Sequence, residues 1–394
     1  MPEEFGSLSS KGAEGQTVYL GVQIIRGAAA LLVLVYHNSQ QMETRAFDSR
    51  LIFSAGASGV DIFFAISGFV MVLVTVDSWG RTGVAMPFLL RRLTRVVPLY
   101  WIFTTVKILL MFIMPGLIMN TVLTPWHVAS SFLFIPTSFG FPILQVGWTL
   151  SYEMLFYLLF ACFLFIRVRP VVWLSIMLTI LAIAGLYRTE AWWPPTILMN
   201  SLLIEFVFGM LIGFAAIKRR FIPQRFALAT ALVSIVALLL SNFIGSAVEP
   251  FRLLFWGIPG ALLLASILPL EGSLRKHPMI KWPVKLGAAS YALYLLHTIV
   301  LGAIWVVADG AKLTHGLFSY LVYAVAIVFC IVVAWFVHSL LEAPLSRFLM
   351  KSYILSGPDR SESSSGTSIC PALIDQGFSP NQREKQSCDI NTLR

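Results

Sequence analysis

Long apolar segments, separated by short polar loops, run through nearly the whole chain and constrain its fold more than any other feature. Ten of them are long enough, or nearly so, to cross a bilayer core of about 30 Å. Only 12% of the residues are charged, against roughly 25% in soluble globular proteins. We therefore expect an all-α polytopic membrane protein, a bundle of about ten transmembrane helices. The predicted spans lie near residues 19–37, 60–76, 96–114, 146–166, 170–187, 196–217, 226–245, 252–269, 286–307 and 317–340.

The basic residues of the loops predict how these helices are oriented. Cytoplasmic loops carry an excess of Lys and Arg, and here the basic clusters fall in every second loop, at residues 81–95, 167–169, 218–225 and 275–285. Both termini are therefore expected in the cytoplasm. This topology explains the net charge of +9, so no nucleic-acid partner is expected.

The remaining organisation follows from composition. Residues 1–18 are predicted to be a cytoplasmic tail without a signal peptide, residues 19–350 the membrane domain, and residues 351–394 a disordered cytoplasmic tail. The stretch 126–142 is apolar but interrupted by proline and glycine, which indicates a re-entrant or interfacial piece. Neither Cys nor His has metal-ligand spacing, so no metal site is predicted.

The first predicted span carries two ionisable residues, Arg26 and His37. Eleven positions correspond to about 16 Å of rise and roughly 20° of rotation on an α-helix, so both side chains point toward one common space. Ionisable residues inside a bilayer usually face a bundle interior or a wet cavity. Alternatively, Arg26 reaches the cytoplasmic headgroups while His37 lies in the opposite interface.

Two carboxylates are candidates for orienting His37 as a base. Asp61 opens the second span near the predicted outer end, where it could fix the tautomer of His37 or merely cap its own helix. Glu153 lies about two turns inside the fourth span, with Tyr157 one turn further along the same face. A carboxylate at that depth needs a partner, as a catalytic group or as a structural hydrogen-bond hub.

Two further polar groups lie toward the predicted inner side. Arg92 and Arg95 are i, i+3 neighbours at the predicted start of the third span, where guanidinium groups and free amides would bind phosphate. They could equally be a topological anchor. In the ninth span, Ser290, Tyr294 and His297 share one helix face, which indicates interhelical hydrogen bonds or the wall of a wet channel.

These motifs, taken in order, resemble the membrane-bound acyltransferase 3 family, which O-acylates carbohydrates in bacteria. The likeness covers residues 19–350 and rests on the Arg26–His37 pair and on the blocks GVDIFFAISGF, RRLTRVVPLY, VGWTLSYEMLFY, SYALYLLH and EAP. It is greatest for the exopolysaccharide O-acetyltransferase subgroup of rhizobial type.

The resemblance implies acetyl-CoA as acyl donor, a carbohydrate acceptor and a place in the bacterial inner membrane. It also implies His37 as the essential base, and Arg26, Arg92 and Arg95 in donor binding or transfer. Tyr291 and His297 would assist the donor site, and Asp61 and Glu153 the catalytic one. A transporter or flippase of a lipid-linked glycan is the alternative that shares the helix bundle and the intramembrane charges.

Overall fold

The structure is a computed structural model that describes residues 19–46, 52–113 and 123–356, and its regular elements are helices. The predicted N-terminal tail and residues 357–394 lie outside the described residues. The helices are α1 (Leu20–Ala46), α2 (Gly59–Thr75), α3 (Ala85–Ile113), α4 (Pro125–Phe132), α5 (Gly147–Phe165), α6 (Pro170–Leu186), α7 (Leu203–Ile217), α8 (Gln224–Leu240), α9 (Ile258–Ile267), α10 (Glu271–Lys276), α11 (Lys281–Ala288), α12 (Ser290–Gly310), α13 (Leu317–Val337) and α14 (Ala343–Ser356).

Among the described residues, eight helical stretches are long and apolar enough to cross a membrane, and α6 and α7 are shorter apolar helices. Together they coincide with the ten predicted spans. The all-helical membrane fold is therefore confirmed. The number of crossings and the side on which each terminus lies stay predictions.

Helix α1 is longer than its apolar segment predicts. It continues past His37 to Ala46, which adds nine residues or about 14 Å. The residues after His37 are polar, but Asn38, Ser39 and Met42 are buried against neighbouring elements. His37 therefore lies inside a helix that packs against neighbouring elements on both sides of it.

Two other helix boundaries differ from the predicted ones. Helix α3 begins at Ala85, seven residues before Arg92, so the free amides of its first turn lie about 10 Å from that arginine. The predicted combination of Arg92 and Arg95 with a helix N-terminus is therefore wrong. The helical chain also continues past the predicted span 317–340, because a π-helical turn, His338–Glu342, joins α13 to α14.

Helices α2 and α7 approach each other through reciprocal glycines. Gly68 of α2 lies against the carbonyl of Phe206, and Gly209 of α7 lies against the carbonyl of Ala65. A Cβ at either position would overlap the opposing backbone. Small residues allow this kind of close approach between membrane helices, where packing rather than the hydrophobic effect drives association.

Helix α1 lies at the centre of the bundle, in contact with α2, α11, α12 and α13. Asn38, which is fully buried, accepts a hydrogen bond from Trp305 Nε1 of α12 at 2.8 Å and donates one to the carbonyl of Tyr323 of α13 at 3.0 Å. The amide of Asn38 thus fixes α1 against both helices immediately beside His37.

Substitution of Gly209 by Val should destabilise the fold, because the new side chain has to separate α7 from α2. We expect a loss of about 1–3 kcal/mol, measured as a lower unfolding temperature of the detergent-solubilised protein. Gly310→Ala is the matched control, since a Cβ there meets open space. Equal unfolding temperatures for Gly209→Val and wild type would contradict the packing described.

Candidate functional site

The imidazole of His37 is held by a glutamine one turn further along α1. His37 Nδ1 donates to Gln40 Oε1 at 3.0 Å, and Gln40 Nε2 donates to the hydroxyl of Tyr36 at 2.9 Å. The second bond orients the amide so that its oxygen faces the imidazole. Because Nδ1 then carries the proton, Nε2 is the unprotonated ring nitrogen and is available as a base.

A second histidine lies beside the first. The ring centroids of His37 and His297 are 5.1 Å apart, with a tilt of 34° between the ring planes. His297 Nδ1 donates to the carbonyl of Leu293 at 3.1 Å, and its Nε2 is buried without a hydrogen-bond partner among the described residues. The structure thus brings together two predicted site residues from α1 and α12, both with an unprotonated Nε2.

The face of α12 that carries His297 is attached to α5. The hydroxyls of Tyr294 and Thr149 form a hydrogen bond of 2.7 Å, and the ring centroid of Tyr294 lies 5.9 Å from that of His297. The polar stripe on this helix therefore forms interhelical bonds at Tyr294, which is one of its two predicted roles. His297 itself faces α1.

The predicted donor-site arginines form a separate charged cluster with groups from α5 and the π-helical turn. Arg26 is electrostatically coupled to Arg95, Glu342, Glu153 and Tyr157. Its side chain donates to Gln23 on its own helix at 3.2 Å. Carboxylates and a second guanidinium group are therefore electrostatic neighbours of Arg26, as expected of a residue that faces the bundle interior.

Arg92 belongs to the same cluster and retains an unused donor. Its guanidinium lies 5.9 Å from the ring centroid of Phe88, and it is coupled to Tyr157, Arg95 and Glu153. Its Nε is buried and has no hydrogen-bond partner among the described residues. A buried, unpaired donor on a cation is costly, and an anionic ligand would satisfy it.

Tyr291 is bound to the backbone beside these arginines. Its hydroxyl donates to the carbonyl of Val96 at 2.7 Å, directly after Arg95 in α3. The bond fixes α12 to α3 at the charged cluster. Tyr291 can therefore position the cluster, while its predicted part in donor binding stays a prediction.

Asp61 does not lie where it was expected. Its two oxygens accept from Arg252, from Nε at 2.9 Å and from Nη2 at 2.8 Å, and the Asp61 side chain is fully buried. Arg252 also lies over Trp256, 4.8 Å from the ring centroid. The predicted pairing of Asp61 with His37 is wrong, because a bidentate ion pair with Arg252 occupies this carboxylate.

The register of α1 and α2 explains this difference. Gly59, at the start of α2, lies against the carbonyl of Ala29, eight positions before His37 on α1. That separation corresponds to about 12 Å along the helix axis, and α2 then runs further away from His37. Asp61 therefore lies in a different layer of the bundle, where its electrostatic neighbour is the buried Glu205 of α7.

Glu153 is also engaged elsewhere. One of its oxygens accepts from the hydroxyl of Tyr157, on the next turn of α5, and from Ser67 Oγ of α2 at 3.2 Å. The same carboxylate is coupled to Arg26 and Arg92. Glu153 therefore belongs to the charged cluster, and Gln40 holds His37 in the place expected for a carboxylate.

The sequence analysis missed Gln40 and Arg252 because both residues lie at the ends of predicted spans, where polar side chains are expected to face water. Gln40 follows His37 by three positions and would share its helix face only if α1 continued beyond the apolar run. Arg252 stands at the first position of the predicted span 252–269, where a basic residue is expected at the membrane surface, yet its side chain is only 11% exposed and pairs with Asp61. A search for a basic partner of every intramembrane carboxylate would have found it.

The family comparison decides between the two functional interpretations. An acyltransferase domain family, the acyltransferase 3 family, matches residues 19–339. The chain belongs to the acyltransferase 3 family. It is therefore a membrane O-acyltransferase, and this membership favours the enzyme over a glycan transporter.

Individual relatives of this acyltransferase agree with the assignment. The chain is 37% identical over 307 residues to the exopolysaccharide production protein ExoZ of Rhizobium meliloti (strain 1021), covering 75% of this chain and 91% of that one. It is 25% identical over 309 residues to the peptidoglycan O-acetyltransferase OatA of Listeria monocytogenes, covering 69% of this chain and 48% of that protein. No solved structure matches the chain significantly.

Replacement of Gln40 by Leu should slow acyl transfer without weakening donor binding. Without the amide, His37 loses the group that fixes its tautomer and ring orientation, so the rate should fall about 10–100-fold. Initial rates at saturating donor measure the effect. Gln41→Leu is the control, since Gln41 bonds Arg45 and not the histidine. An unchanged rate for Gln40→Leu would show that Gln40 does not orient His37 for catalysis.

Replacement of Asp61 by Ala should act on stability rather than on the chemical step. It leaves the guanidinium of Arg252 buried without its partner, a change that typically costs about 3–5 kcal/mol. The unfolding temperature should fall, while the rate per folded molecule changes little. Glu249→Ala is the control, because Glu249 contacts the same arginine at 3.6 Å from an exposed position. If the Asp61→Ala protein were as stable as wild type but inactive, Asp61 would have a catalytic role.

Proposed function

We propose that the protein transfers an acetyl or other short acyl group from cytoplasmic acetyl-CoA to a hydroxyl group of a cell-surface carbohydrate, such as an exopolysaccharide. It would act in the inner membrane of a bacterium. The observation that carries the proposal is the hydrogen bond between His37 Nδ1 and Gln40 Oε1, which in the neutral imidazole leaves Nε2 free to accept a proton. A neutral imidazole fixed in this way inside a helix bundle is suited to remove a hydroxyl proton.

The charged cluster supports the identity of the donor. Arg26, Arg92 and Arg95 provide three guanidinium groups, and Arg92 Nε is buried without a partner among the described residues. Guanidinium groups bind phosphate through bidentate hydrogen bonds, and the nucleotide of acetyl-CoA carries phosphates. Its extended pantetheine arm would bring the thioester from this cluster toward His37, about 16 Å further along α1.

The chemistry then requires little beyond His37 and correct positioning. The hydroxyl oxygen attacks the thioester carbonyl while His37 Nε2 accepts its proton, and the C–S bond breaks to release CoA. General-base assistance typically accelerates such a step about 10²–10⁴-fold. Alignment of the two substrates inside the bundle contributes further. Tyr294 and Thr149 hold α12 and α5 together beside the reacting groups.

The nature of the acceptor is supported by the relatives. ExoZ is described as an exopolysaccharide production protein, and OatA as a peptidoglycan O-acetyltransferase. Both names refer to carbohydrate polymers outside the cytoplasm. The predicted topology would let such an acceptor enter from the outer side, opposite to the donor cluster.

Transfer of label from acetyl-CoA into extracted cell-surface glycan tests the proposal. Wild-type protein in membranes should transfer labelled acetyl groups, and His37→Ala at matched expression should transfer at least about 10²-fold less, since the base is lost. Asn242→Ala serves as a control for a polar substitution elsewhere in the bundle. Label incorporated equally by His37→Ala and wild type would overturn the assignment of the base, and no label from wild type with any extracted glycan would overturn the acceptor class.

Charge reversal at the arginines tests the donor site separately. The double variant Arg92→Glu, Arg95→Glu should bind acetyl-CoA at least about tenfold more weakly, because each charge-assisted hydrogen bond contributes about 1.5–3 kcal/mol. Calorimetry or a spin-column assay on purified protein measures this. Arg220→Glu is the control, because Arg220 is an exposed arginine of a predicted inner loop. Equal affinities would leave Arg92 and Arg95 as topological anchors only.

A further inference from the structure

His37 and His297 lie close enough together to act on the same proton. His37 and His297 come from different helices, yet their ring centroids are only 5.1 Å apart. In both, Nδ1 donates to a fixed oxygen, from Gln40 and from the Leu293 carbonyl respectively. Each histidine therefore presents an unprotonated Nε2 in the resting protein.

His297 is buried, and one of its ring nitrogens lacks a hydrogen-bond partner in the part of the chain that the structure describes. His297 is 1% exposed, and its Nε2 has no hydrogen-bond partner among the described residues. A buried acceptor left unbonded costs free energy, so a purely structural histidine would be expected to bond at both nitrogens. The group that would satisfy it is a proton donor, and His37 becomes one when its Nε2 accepts a proton.

We propose that His297 is a second catalytic residue, which takes over the proton from His37 and delivers it to the departing thiolate. This inference rests on the proposed function. In the first step the hydroxyl oxygen bonds to the acyl carbon, its proton passes to His37 Nε2, and the C–S bond breaks. The proton then moves to His297 Nε2, directly or through one water, and from there to sulfur.

The proposed reaction steps balance in atoms and in charge. One O–H and one C–S bond are broken, one C–O and one S–H bond are formed, and both histidines return to the neutral form with the proton on Nδ1. No further reactant is needed. The position of His297 on the first half of α12 also fits the step, because the predicted topology places that half toward the inner side, from which the thioester would come.

The dependence of the rate on the leaving thiol distinguishes a catalytic His297 from a structural one. A more acidic thiol leaves readily as the thiolate and needs less help from a proton donor. Transfer should be compared for S-acetylpantetheine and S-phenyl thioacetate, using the full-length chain in lipid nanodiscs with extracted cell-surface glycan as acceptor. The variants are His297→Gln and, as a matched control, His37→Gln.

For His297→Gln we expect a loss of about 10²-fold with S-acetylpantetheine and a much smaller loss with S-phenyl thioacetate. For His37→Gln the loss should be similar with both donors, because the hydroxyl proton must be removed in each case. A His297→Gln defect of equal size with both donors, or no defect at all, would overturn the relay.

Failure of the fold and failure of the proposed function are both recognisable. A His297→Gln protein with a lowered unfolding temperature is replaced by His297→Asn, and the same comparison of donors applies. Wild-type protein that transfers from neither donor, nor from acetyl-CoA, overturns the proposed function together with the relay. An active wild type with donor-independent defects overturns the relay alone.

Discussion

The hydrogen bonds of one buried amide hold together the part of the bundle on which the site depends. Asn38 accepts from Trp305 of α12 and donates to the backbone of α13, so α1 cannot rotate without breaking both bonds. In an apolar interior, such bonds have few competitors, since an unsatisfied amide is costly there. His37 is the adjacent residue, and its contact with His297 therefore follows from the way in which Asn38 is bound.

Three groups of ionisable residues in the bundle bear on the site. One holds the histidine pair, one holds Arg26, Arg92 and Glu153, and one holds the ion pair of Asp61 and Arg252. In the first group the partners are neutral, whereas in the other two they are charged. A bound anion would thus meet guanidinium groups, whereas among the described residues the hydrogen-bond partners of His37 and His297 are uncharged.

Much of this arrangement was predictable from the sequence, because hydropathy and helical periodicity are local properties. They correctly indicated the all-helical fold, and the common face of Arg26 and His37 rests on the same helical periodicity. What could not be predicted depends on how far helices continue and on their mutual register. The polar end of α1 is helical only because neighbouring helices bury it, and the contact of Gly59 with Ala29 decides that Asp61 lies away from His37.

The chemistry of the proposed reaction has a consequence for its energetics across the membrane. A hydroxyl on the outer side and a thioester on the inner side become an ester and a thiol, and none of these four groups carries a charge. The proton that moves inward is balanced by the acyl group that moves outward in its place, so no net charge crosses the electric field, and the energy of about 2.3 kcal/mol per elementary charge and 100 mV does not enter. The membrane potential would therefore neither drive nor oppose acylation, and the extent of glycan modification would follow the supply of thioester in the cytoplasm.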